Sequence, residues 1–103
     1  MLINFTEQGM KKIKNLPKRV QAACRTIENA GGTFVSWNLT MGLYDSVAIV
    51  ELPDDASGAS IILGAEKDGN IKTTTLKAFS ETEASKIIAK MSAFRIGIRF
   101  ENS

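Results

Sequence analysis

The sequence predicts an α+β domain with the element order β-α-β-β-α-β-α. Three observations carry this. Short apolar runs rich in β-branched and aromatic residues occur at 1–5, 33–41, 44–52 and 71–79. Between them lie segments with helical apolar spacing. Glycine, proline and aspartate clusters at 31–32, 42, 53–55 and 68–69 punctuate the boundaries.

Each element has its own local cause. "MLINF" is the first strand, and Thr6 behind it is a good N-cap. Apolar residues then recur at Met10, Ile13, Val20, Cys24 and Ile27, with Ala23 and Ala30 in the same stripe. Pro17 interrupts them because it lacks an N–H and restricts Leu16, so a short helix to about residue 14 and a longer one from near Pro17 are expected. Gly31 or Gly32 ends the second in the left-handed conformation. In "TFVSWNLTM", Val35, Trp37 and Leu39 alternate with Ser36, Asn38 and Thr40.

"YDSVAIVEL" differs, because Tyr44, Ala48, Val50 and Leu52 form one apolar face while Val47 and Ile49 make the other apolar too. Pro53, Asp54 and Asp55 stop this strand and cap the next helix, whose Gly58 and Gly64 weaken its intrinsic propensity. "IKTTTLKAF" is the fourth strand. "SETE" follows as a capping box, and Ala84, Ile87, Ile88 and Met91 give the last helix an apolar side. The alternation of Phe94, Ile96, Ile98 and Phe100 suggests an extra C-terminal strand.

With both crossovers right-handed, this order yields the split β-α-β, or ferredoxin-like, arrangement: a four-stranded antiparallel sheet with the helices on one face. The first and third strands are then central. Helices cover only one side of the 44–52 strand, so the other side calls for a second copy, and a homodimer or higher oligomer is expected.

Composition bounds the rest. A chain of 103 residues holds one domain, and its 44% apolar and 23% charged content is that of a globular protein. The net charge of +2 does not by itself imply a polyanion partner. Lys11, Lys12, Lys14, Lys18, Arg19 and Arg25 nevertheless crowd one segment that contains no acid. With a single cysteine, Cys24, no internal disulfide can form. Neither a signal peptide nor a spanning segment is legible, so a cytoplasmic protein without membrane association is expected.

The phrases "NFTEQGMKKIKNLPKRVQ" and "LTMGLYDSVAIVELPDD" resemble the GYD-domain family of small bacterial and archaeal proteins. Gly42, Tyr44 and Asp45 match its signature. Thr6, Gln8 and Gly9 match its opening phrase, with Phe5 in place of tryptophan, and Pro17, Lys18 and Arg19 match a third. The resemblance covers residues 1–91 and leaves 92–103 as a C-terminal extension. It implies a ferredoxin-like fold similar to dimeric α/β-barrel proteins and carries no established activity. The first strand starts two or three residues later than the family pattern, which puts its length in question.

Without histidine and with one cysteine, the chain has no zinc cluster and no His-dependent nucleophile. No glycine-rich phosphate loop is present, and neither cofactor nor metal is expected; capping explains Asp54 and Asp55 better than Mg²⁺ does. Asn4, Trp37, Asn38, Tyr44 and Asp45 are the ligand-binding candidates, although adjacent Tyr44 and Asp45 point to opposite faces. Asp45 has a structural alternative, bonding the backbone of the Gly42 turn. Lys11, Lys18, Arg19 and Arg25 are the anion-binding candidates. Cys24 reads as a buried thiol in the apolar stripe. The sheet lacks the stacking aromatics of RNA-binding relatives of the fold, which argues against nucleic acid. Three functions stay open: an oligomeric domain holding a small ligand between its sheet and a partner sheet, a cofactor-independent isomerase or oxygenase, and anion or nucleic-acid binding by the basic first helix.

Overall fold

The computed structural model describes residues 1–98. Strand β1 (Leu2–Phe5) leads into α1 (Glu7–Lys11), a 3-10 turn (Ile13–Asn15) and α2 (Leu16–Asn29). The hairpin strands β2 (Thr33–Leu39) and β3 (Ser46–Glu51) follow, then α3 (Asp55–Lys67), β4 (Ile71–Thr74) and α4 (Glu81–Ile98). The sheet order is β2-β3-β1-β4 with every neighbouring pair antiparallel, the arrangement of a ferredoxin-like α+β fold. β1 and β3 are central, as the element order requires.

The local signals act where the sequence places them. Thr6 Oγ1 accepts from Gly9 N at 3.1 Å and starts α1. Pro17 sits in the first turn of α2, where a missing N–H costs nothing. Gly31 turns the chain out of α2 at φ 85°. Asp54 accepts from Ser57 N at 2.7 Å and caps α3. Ser80 and Glu83 close a reciprocal capping box, with bonds of 2.8 and 3.1 Å. Each of these depends only on residues three or four apart.

Helix α2 lies over β2, and α3 over β4. Ile3, Ala48 and Ile27 form the buried apolar centre, with Ser46 completely enclosed beside them. A second tie fixes α3 to the sheet: Glu66 accepts from both Thr73 N (3.0 Å) and Thr73 Oγ1 (2.7 Å). These two bonds hold the Glu66 carboxyl below its ordinary pKa.

Four details differ from the pattern reading. A bulge at Val35 shifts the register between Phe34 and Ser36, so Phe34 pairs with Val50 and Trp37 with Ala48. Val35 is therefore an exposed insertion and not a member of Trp37's face. β3 begins at Ser46, leaving Tyr44 and Asp45 in the preceding loop. β4 stops at Thr74 because that residue already pairs with Leu2, the first residue of β1. The extra C-terminal strand is not formed over residues 93–98: the capping box nucleates α4, and propagation carries the helix to Ile98. Phe100 lies outside the described residues.

α4 extends away from the body. The radius of gyration is 17.9 Å, against about 13 Å for a compact chain of this length. Ile87, Ile88 and Met91 are accordingly exposed.

Candidate functional site

The loop between β2 and β3 is fixed by its own polar groups. Thr40 Oγ1 donates to Tyr44 O at 2.7 Å, and Thr40 N donates to Asp45 O at 2.9 Å. Gly42, at φ 131°, supplies a backbone conformation that a side chain would resist. Asp45 Oδ2 accepts from Phe5 N at 2.8 Å, and Asp45 N donates to Ile3 O at 2.8 Å. Asn4 Nδ2 donates to Leu43 O at 3.0 Å. The carboxylate of Asp45 thus clamps the end of β1 and does not close the Gly42 turn itself. Leu43 and Met41 are left outside, 82% and 100% exposed.

The sheet separates the other candidates. Ala48 and Trp37 lie on the helix side, whereas Val47 and Asn38, opposite each other in the register, lie on the open side. Asn4 shares that open side with Leu2 and Val47. Ile49 is 54% exposed there and Val47 is half-buried. Tyr44 is half-buried in the loop. Asn4, Asn38, Tyr44 and Asp45 therefore border the open face and its loop, and Trp37 is excluded from them.

On the helix side, the sheet, α2 and α3 enclose a partly open cavity of about 540 Å³. Its walls include Ile3, Phe5, Ile27, Trp37, Ala48 and Val50. This ligand-sized space was not legible in the sequence, because nothing in the helical spacing reports how far α2 and α3 stand apart.

The basic residues do not form one row. Lys11 belongs to α1, and the 3-10 turn separates it from Lys18 and Arg25, which are exposed on α2. Arg19 turns inward to the cavity, its Nη1 donating to Lys12 O at 3.4 Å. Cys24 is half-buried at the margin of its stripe, with Sγ 3.6 Å from Glu28 Oε2. Desolvation first, then the Glu28 carboxylate, raises its thiol pKa, which disfavours a thiolate nucleophile. Asp54 is occupied as a cap, and Asp55 pairs with Lys77 at 2.9 Å.

With this geometry in place, the family comparison is decisive: residues 1–88 match the model of the GYD domain. The chain belongs to the GYD-domain family. The matched span takes in the whole sheet, the Gly42–Asp45 loop and the first turns of α4. This GYD domain is 30% identical over 79 residues to a Thermus thermophilus protein named "Glutamine synthetase and cystathionine beta-lyase binding protein"; the alignment covers 76% of this chain and 83% of the relative. No solved structure matches the chain. Among the described residues, no helix is long and apolar enough to cross a membrane.

Proposed function

We propose that this GYD domain is a non-catalytic binding module that works as a homodimer or higher oligomer, pairing the open face of its sheet with that of a second copy. The observation that carries this reading is Ile49, half exposed on a central strand, beside half-buried Val47. Central strands are normally covered on any apolar face, and two-fold pairing covers both copies with one surface. Removing the exposed half of Ile49 from water is worth about 1 kcal/mol per copy. The rigid loop carrying Met41 and Leu43 adjoins that face and extends the apolar surface. What the paired module binds is suggested by the Thermus relative, named for binding two enzymes. By analogy, the partners of this chain are enzymes of amino-acid metabolism.

Sedimentation equilibrium and light scattering test the pairing. The intact chain should show a mass well above 11.2 kDa at micromolar concentration. Ile49→Asp, which places a charge in the interface, should return it to the monomer mass with its circular dichroism intact. A monomeric intact chain, or an Ile49→Asp variant that still associates, refutes the pairing. Biolayer interferometry against the host organism's own glutamine synthetase and cystathionine beta-lyase tests the partner class. Absence of saturable binding to both removes that assignment and leaves the pairing to stand or fall by mass.

A further inference from the structure

The cavity on the helix side carries two polar groups that the described residues leave without partners. Ser46 is completely enclosed, 0% exposed, and its Oγ has no hydrogen-bond partner among the described residues. Arg19 Nη2 is likewise buried and without an acceptor among the described residues. Both residues line the same space. Buried polar atoms in folded proteins are ordinarily bonded, and a guanidinium nitrogen held away from water is the more costly of the two to leave alone.

The topology brings the two groups to one end of the cavity. Ser46 opens β3 and pairs with Ile3 on β1. β1 runs past that point into α1 and then α2, where Arg19 stands near the helix start. Away from this end the walls are mainly apolar, formed by Ile27, Ala48, Val50 and Ile61 with Thr26 and Ser60 among them. Asp68 also borders the cavity, but it is exposed and makes no hydrogen bond to Arg19. A volume of about 540 Å³ lies within the range of small-molecule sites, roughly 300–1,000 Å³.

We propose that this cavity binds a small carboxylic acid with an apolar tail, its carboxylate on Arg19 Nη2 and the Ser46 hydroxyl, and its tail along the wall formed by Ile27, Ala48 and Val50. The guanidinium selects the charge, because a carboxylate oxygen meets its Nη2–H as a charge-assisted hydrogen bond where a neutral amide offers only an uncharged oxygen. The tail selects against bare anions. The site lies within one subunit and on the opposite side of the sheet from the pairing face, so it does not depend on oligomerisation.

Isothermal titration calorimetry of the intact chain with octanoate, octanamide and acetate tests the assignment. Octanoate should bind one per chain, octanamide at least tenfold more weakly, and acetate not measurably. In Arg19→Gln, octanoate affinity should fall at least tenfold to the level of the amide. Ile49→Asp should bind octanoate like the intact chain, which separates this site from the pairing reading. The proposal is overturned if octanoate does not bind, as when α4 of a second copy fills the space, if the amide binds equally well, or if a folded Arg19→Gln variant keeps its affinity. The octanoate–octanamide comparison uses the unaltered chain and decides the matter even where the variant folds poorly.

Discussion

Substituting Gly9 by alanine tests whether α1 is seated on the turn before β4. Gly9 is buried, and a Cβ at its position would collide with the backbone carbonyl of Asn70, which cannot swing aside as a side-chain tip does. The same turn holds two bonds from Thr6: its N–H donates to Asn70 O at 3.0 Å, and its hydroxyl donates to Gly69 O at 2.6 Å. Overpacking costs about 1–3 kcal/mol, and displacing the turn forfeits about 1 kcal/mol for each bond lost. Alanine returns up to about 1 kcal/mol through helix propensity. The balance is about 2–4 kcal/mol of destabilisation, or roughly 10–30 °C in Tm for a domain of this size. Gly64→Ala is the matched control, because its Cβ meets no atom within 4 Å and only the propensity gain remains. It should raise Tm by several degrees, about 1 kcal/mol at most. Both variants are melted at one protein concentration, since the proposed association would add a concentration-dependent contribution. If Gly9→Ala melts at or above the parent temperature, α1 is not packed against this turn and the reasoning fails.

Two further outcomes follow from the polar ties. Glu66→Gln should lower Tm at neutral pH, and the gap should close in acid. A carboxyl whose pKa is depressed by folding contributes stability above its ordinary 4.5 and loses it as pH falls through the lower folded value. Melts of parent and variant between pH 7 and pH 2 read this, and a gap that persists unchanged at the acid end refutes the tie to Thr73. Asp45→Ala should cost about 1.5–3 kcal/mol, the range for a hydrogen bond to a charged group, and should speed amide exchange at Phe5, whose N–H it leaves without its acceptor. Unchanged exchange there would contradict the clamp.

The parts of the fold legible in the sequence are those written locally. The Thr6 and Asp54 caps, the Ser80–Glu83 box and the restart of the helix at Pro17 each involve residues within one helical turn. Strand order was legible for a different reason: few right-handed connections satisfy the element order. The bulge at Val35 was not, because Val35, Trp37 and Leu39 alternate without a break and only pairing with β3 shifts the register. Nor could the C-terminal alternation reveal that a helix already nucleated at Ser80 would continue through it. At the candidate site, the family signature marked Asp45 and a place on the first strand marked Asn4, but neither revealed their work, which is to tie a loop to a strand some 40 positions distant. Arg19 was picked out for its charge alone; its value lies in turning inward while Lys18 and Arg25 face solvent.

The bulge at Val35 also governs how sheets of neighbouring molecules can meet. β2 is one rim of the sheet, and an unbroken rim offers a ladder onto which foreign strands zip side by side without limit. One surplus residue midway throws that ladder out of step. Ribbon-like growth is hindered at this rim, which leaves the broad flank of the sheet as the surface for the proposed pairing, where two copies would satisfy each other and stop.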